Sequence, residues 1–299
     1  MLLSRPCLDG ASCIVMIFYQ LVASPRRSVS DGKRSRAMRL SLGPQQALLE
    51  QSRTVLEWLR GLTPEAFERA SVLPGWSVRQ LAGHLVLVHT LARHSLDQPT
   101  KEPALPSHEY VKRYRRDVEM IMAATLEASE ALAGPEVVAR LGSAIDDLAI
   151  RLDAGVRLPQ VIIGPRGPIT IEDYLATRIV EVVVHTDDLN RSLTEAAPAE
   201  LHRSALSRCT RALASILACQ HPGRSVEVRV PPYAAIQCAT SDPGPTHTRG
   251  TPPNVVETDP LTFLRLATGR IAWADAVAGG TIHASGLRAD LAPMLPLFS

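Results

Sequence analysis

The segment Ile179-Val180-Glu181-Val182-Val183-Val184-His185 sets a glutamate and a histidine one helical turn apart inside an otherwise apolar run. A carboxylate buried among valines without a partner is strongly disfavoured. A fold that buries this run must neutralise the charge, hydrogen-bond it or bind a cation to it. In a helix, positions i and i+4 share a face, which aims Glu181 and His185 at the same neighbour. Another histidine, His84, stands far earlier in an equally apolar stretch. With His84 alongside, two imidazoles and one carboxylate converge. That is the ligand set of a catalytic zinc site, which keeps its fourth position open.

Each member also has a plainer reading. His84 shares a face with Leu81, Leu85 and Val88, and a single histidine on an apolar face is more often a hydrogen-bonded core residue than a ligand. Glu181 can pair with Arg178, since ionised groups in apolar runs are usually paired. That pairing accounts for the charge and leaves His185 unexplained. The i,i+4 spacing recurs by chance in many helices, so the three residues become specific only as a set.

At 299 residues, the chain can bury a sizeable core in two domains or one large one. The formal net charge of +2 hides an asymmetry: residues 1–40 hold seven basic and two acidic residues, and the remainder carries −3. A mildly acidic body without a basic stripe among aromatics speaks against nucleic acid as a partner. The run Ala11–Ala23 is apolar but only 13 residues long, too short to span a bilayer. It suits a signal-peptide core, with Leu21-Val22-Ala23 as a loose cleavage site. Asp9, Gly10 and the basic stretch after it favour a disordered extension instead, with Met38 as the initiator. Residues 1–40 are therefore read as a leader apart from the fold, and no membrane partner is expected. Five cysteines (Cys7, Cys13, Cys209, Cys219, Cys238) make no CxxC and no close-spaced framework. Cys209 and Cys219 read as buried thiols, and a reducing cytoplasm fits.

From Gln45 the period is helical, with a stripe of Leu48, Leu49, Val55, Leu56 and Leu59 ending at Gly61. After the turn Leu73-Pro74-Gly75-Trp76, Ser77 and Gln80 form a capping box that opens a helix to about Ser95. Further helices are expected over Ser107–Leu132 and Ala144–Leu152. A loop at Ile163–Pro168 follows, and Thr170 with Asp173 then caps the helix that carries Glu181 and His185. A last long helix covers Ala199–Cys219. Beyond Gly223 the period changes: Val226, Val228 and Val230 alternate with Glu227 and Arg229, a half-buried strand. A partner strand at Ala234–Ala239, helices at Pro260–Ala267 and Trp273–Ala278, a strand at Thr281–Ser285 and a terminal helix from Arg288 complete the reading. The fold class is α+β, a helical bundle over residues 41–222 followed by a small α/β domain over 223–299.

The motifs carry a resemblance. Leu73-Pro74-Gly75-Trp76-Ser77-Val78-Arg79-Gln80-Leu81-Ala82-Gly83-His84-Leu85 resembles the start of the metal helix in the mycothiol-dependent maleylpyruvate isomerase family, within the DinB-like superfamily. Arg178 to Leu189 is similar to that family's second metal motif. The likeness covers roughly residues 43–220. It implies a DinB-like four-helix bundle with a divalent metal, usually zinc, on His84, Glu181 and His185, and mycothiol as the thiol cofactor. Val228 to Tyr233 and His247 to Pro260 resemble the bacterial sterol-carrier-protein-like domain, in a version closer to the stand-alone carrier form than to the usual isomerase tail.

A three-ligand metal leaves a position for a thiol, and a coordinated thiol is deprotonated at neutral pH. The thiol must come from a cofactor, because no cysteine lies near either metal motif in the sequence. The expected partners are that thiol and a small electrophile, which is isomerised or conjugated. Arg249, in a Gly/Pro loop, is the candidate catalytic residue for a substrate carboxylate; a plain turn role is the commoner one for such a residue. Asp187 and Asp188 can orient His185, contact the thiol or cap the helix. Trp76 reads as a plug at the turn, and His89 and His94 as surface residues. Two competing functions remain in view: a non-catalytic binder of small molecules or lipids through the carrier-like domain, and a zinc-bundle regulator, disfavoured because the usual histidine–cysteine ligand pattern is missing.

Overall fold

The computed structural model of the chain describes residues 43–153, 157–239 and 252–298. The leader, Cys7, Cys13 and Arg249 lie outside these residues. Helix α1 (Pro44–Arg60) starts on a proline, whose missing N–H is not needed in a first turn, and buries Leu48, Val55, Leu56 and Leu59. A short helix, α2 (Pro64–Glu68), leads to the turn before α3 (Val78–Ser95). Gly75 in that turn has φ of 80°, a conformation that side chains resist. The capping box of α3 is complete: the Ser77 hydroxyl accepts from the Gln80 N–H, and the Ser77 N–H donates to Gln80 Oε1 at 2.7 Å.

The single helix expected over Ser107–Leu132 is two helices, α4 (Ser107–Lys112) and α5 (Tyr114–Glu130). The backbone tightens to i→i+3 bonds at Arg113, whose N–H reaches the Tyr110 carbonyl. Helix α6 (Gly134–Arg151) begins well before the expected Ala144. Pro135 starts it, and the Glu136 carboxylate accepts from the Ala133 N–H at 2.8 Å. The expected loop at Ile163–Pro168 is instead a hairpin of β1 (Val161–Gly164) and β2 (Gly167–Thr170), with Ile163 opposite Pro168. Two four-residue strands, one containing a proline, leave little periodic signal. Helix α7 (Ile171–Ser192) follows directly, capped by Thr170, and α8 (Arg203–Gln220) closes the helical series.

The second region is a four-stranded sheet in the order β4-β3-β5-β6, from β3 (Val226–Val230), β4 (Ala234–Cys238), β5 (Val255–Thr258) and β6 (Ile282–Ser285). Strands β3 and β5 run parallel, with Val228 beside Val256. Helices α9 (Pro260–Ala267) and α10 (Trp273–Ala278) connect β5 to β6, and Asp259 caps α9 by accepting from the Leu261 and Thr262 N–H groups. The expected terminal helix is reduced to a 3-10 turn at Ala292–Met294. Pro296 offers no donor and biases Leu295 away from helical geometry.

Helices α1, α3, α6 and α7 pack on one another as a bundle, and α5 lies along α3. Helix α8 touches both α7 and β4, so a single apolar core runs from the bundle into the sheet. Among the described residues no helix is long and apolar enough to cross a membrane. Cys209 is buried as expected, whereas Cys219 is exposed, on the solvent side of α8.

His89 corrects a further expectation. It is buried, its Nδ1 bonded to the Leu85 carbonyl and its Nε2 2.7 Å from Ser52 Oγ. Burial lowers its pKa from 6.5 to about 4. Between those values the unfolded chain binds a proton that the folded chain refuses, so stability falls as pH drops from about 6.5 to about 4 and levels off below. That window is worth about 3 kcal/mol at full effect. Denaturant titrations at pH 7 and pH 4.5 should show a smaller loss in His89→Gln than in the unsubstituted chain. Equal losses would mean that this ring does not carry the linkage.

Candidate metal centre

Helix α3 supplies His84 and α7 supplies Glu181 and His185. The close approach that brings α5 against α3 at this point depends on Gly83, where a Cβ would stand 2.9 Å from Ser129 Cβ. Helix α5 then places Thr125 Oγ1 3.4 Å from His84 Nδ1. On the other side of each imidazole, Nε2 faces the same carboxylate oxygen. His84 Nε2 lies 3.5 Å and His185 Nε2 3.3 Å from Glu181 Oε2. One donor atom from each of the three residues lies within 4.8 Å of the others. The two imidazoles meet edge-on with centroids 4.7 Å apart, and Trp76 packs edge-on against His84 at 5.5 Å. Trp76 is thus a wall of this centre as well as a filler of its turn.

The charges around the triangle are tightly arranged. Burial alone would raise the Glu181 pKa, but hydrogen bonds from His185 and His84 and the charge of Arg178, 3.7 Å from Oε1, hold it well below the usual carboxylate range. Burial lowers the His84 pKa, with Glu181 pulling the other way. Burial also acts to lower that of His185, yet bonds to Asp188 and Glu181 raise it. A carboxylate can only accept, so Asp188 Oδ2, 3.0 Å away, fixes a proton on His185 Nδ1. His185 Nε2 then faces Glu181, a favourable contact only with a cation between them, whether a proton or a metal ion. Two imidazole nitrogens, one ionised carboxylate and a carboxylate-bound histidine suit a divalent ion of the zinc type.

Asp187 and Asp188, left with several roles by the sequence, resolve into ion pairs with the second domain. Asp187 takes two bonds from Arg265, at 2.8 and 2.7 Å. Asp188, fully buried, takes two from Arg270, at 3.2 and 2.9 Å, besides the one from His185. Nothing in the sequence marks Arg265 or Arg270, since both pairings span long stretches of chain.

Two cavities reach the triangle. A small one, lined by Leu87, Val88, Leu91, Arg166 and Arg178, touches His84 and Glu181. The larger, about 250 Å³, opens on Glu181 and His185. Its wall includes Val111, Val180, Val184, Ile216 and Phe298, with Tyr114 and Arg270 as polar members. It is therefore built jointly by α4, α5, α7, α8 and the second domain. Arg249, the residue expected to meet a substrate carboxylate, lies outside the described residues.

Comparisons with known proteins place the division earlier than residue 222, between residues 190 and 202, so that α8 falls with the sheet. Residues 48–190 match the family model described as the mycothiol maleylpyruvate isomerase N-terminal domain, and residues 202–297 match that of the bacterial SCP ortholog. Among solved structures, the chain is similar to a histidine-to-alanine mutant of the mycothiol-dependent maleylpyruvate isomerase, at 14% identity and a TM-score of 0.55. The same enzyme without the mutation gives 14% identity and a TM-score of 0.53. Each likeness covers 81% of this chain and 91% of the other. At that identity the likeness shows the fold. No curated protein matches the chain.

The tight seam at Gly83 yields a direct test. A Gly83→Val substitution should lower the unfolding free energy by roughly 1–3 kcal/mol through overpacking against Ser129, read as a lower denaturant midpoint at an unchanged slope. An unshifted midpoint would show that α5 does not press on α3 here.

Proposed function

We propose that the chain, whose residues 48–190 and 202–297 match the mycothiol maleylpyruvate isomerase N-terminal domain and the bacterial SCP ortholog, is a metal-dependent enzyme acting through a low-molecular-weight thiol, mycothiol, on a small electrophile. The observation that carries this reading is the convergence of His84 Nε2, His185 Nε2 and the Glu181 carboxylate at one end of a cavity large enough for a ligand. His84, Glu181 and His185 are the proposed ligands of a divalent ion, most simply zinc. Such an ion, with a thiol in its open position, supplies a thiolate nucleophile at neutral pH, suited to cis–trans isomerisation of an electron-poor double bond or to conjugation with it.

The chain's own residues do the rest. Asp188 keeps the proton on His185 Nδ1 and leaves Nε2 free to ligate. Arg178 offsets part of the Glu181 charge, which keeps that carboxylate ionised inside an apolar helix. Val111, Val180, Val184, Ile216 and Phe298 exclude water from the cavity and bind the apolar part of a ligand. In this reading the helical bundle carries the reactive centre, and the second domain closes it from one side through Thr268, Arg270 and Phe298. A reducing cytoplasm is the compartment that suits a free thiol cofactor.

A second reading has one observation in its favour: the apolar wall of the larger cavity also fits a binder of small lipophilic molecules. Metal analysis separates the two. Purified protein should contain about one zinc per chain. The combined His84→Ala and Glu181→Ala variant should lose it while retaining its circular dichroism. A fully folded but metal-free unsubstituted protein would instead favour the binder. With metal loaded, a screen of low-molecular-weight thiols against activated alkenes should give thiol-dependent turnover that a chelator abolishes.

A further inference from the structure

We propose that Arg270, from the second domain, is a positioning residue for the metal ligand His185. Its guanidinium holds the Asp188 carboxylate, and Asp188 holds the imidazole so that Nε2 faces Glu181 and His84. The inference rests on the metal reading above and deepens it by making the second domain part of the ligand scaffold.

The geometry is continuous. Arg270 Nε and Nη2 donate to the two oxygens of Asp188, at 3.2 and 2.9 Å, and a two-pronged pairing of this kind fixes the plane of the carboxylate. Asp188 Oδ2 is shared. It accepts from Arg270 Nη2 and also from His185 Nδ1, at 3.0 Å. The side chain of Asp188 is completely buried, so without Arg270 its charge would rest on His185 and on Arg191, whose Nη1 lies 3.9 Å away. Arg270 is held from behind as well. Its Nη1 donates to the Thr268 carbonyl at 2.8 Å and its N–H to the Arg265 carbonyl at 2.7 Å. The turn after α9 thus delivers one guanidinium at a set position.

The neighbouring pair supplies an internal control. Arg265 grips Asp187 with two bonds of similar length, from the same region to the same end of α7, but among the described residues Asp187 makes no hydrogen bond to a proposed ligand. Both arginines dock the second domain on the bundle. Arg270 alone continues through a carboxylate to an imidazole. If docking were the whole role of these pairs, losing either one should have the same effect on the metal.

The test uses the full chain and two probes: Zn²⁺, titrated against a chromophoric chelator, and Co²⁺, read by its visible absorption spectrum. Partners that orient a ligating histidine change metal affinity by about 10–100-fold. Arg270→Gln, acting through Asp188, should weaken Zn²⁺ binding by about tenfold and alter the Co²⁺ spectrum. Arg270→Lys, which keeps the charge but loses the fork, should recover part of the affinity, and it carries the test should the glutamine variant fail to fold. Arg265→Gln should match the unsubstituted chain in both readouts. Unchanged Zn²⁺ affinity and Co²⁺ spectrum in Arg270→Gln would overturn the proposal, as would an equal loss in Arg265→Gln. An unsubstituted chain that takes up neither ion would sink the metal reading itself, a result distinct from either of these.

Discussion

Placing an ionised carboxylate inside the apolar run Ile179–Val184 of α7 is the constraint around which the rest is arranged. Glu181 sits between Val180 and Val182, and its charge is met by two imidazoles and one guanidinium. None of these partners is dispensable in a low-dielectric interior, where an uncompensated charge is far costlier than at the surface. The demand reaches outward. His84 must come from α3, which requires α3 and α7 to run close together. Thr125 must come from α5, which requires Gly83.

The same logic explains why the second domain is more than an appendage. A carboxylate that orients His185 is itself a buried charge and needs its own partner. Helix α7 provides Arg191 only at 3.9 Å, whereas the turn after α9 provides a close two-pronged contact. Charge balance at the centre therefore extends across the seam between bundle and sheet. The larger cavity follows the same seam, with Val180 and Val184 on one wall and Phe298 on another. Chemistry and ligand volume are both built at the junction.

Much of the local structure was legible in advance, because short-range physics sets it. The capping box at Ser77 and Gln80, the stripe on α1, and the alternation of Val226, Val228 and Val230 each depend on residues a few positions apart. The misreadings have separate causes. The β1–β2 hairpin has strands too short to show a period, and the start of α6 turned on Pro135 and Glu136 outweighing Gly134. His89 looked like a surface residue because Ser52, the partner that satisfies it, sits on another helix.

The sequence by itself determined that Glu181 and His185 would share a helix face and that an apolar helix would carry His84, since both follow from periodicity and capping. Only the tertiary structure decided that three donor atoms would fall within 4.8 Å, that Trp76 would pack on His84, and that Arg270 rather than a nearer arginine would grip Asp188. The reason is range. Helical spacing is dictated by bonds between residues i and i+4, whereas the His84–Glu181 and Arg270–Asp188 contacts join residues far apart in the chain and the Trp76–His84 contact crosses a turn, so packing sets which of many equivalent side chains arrive together.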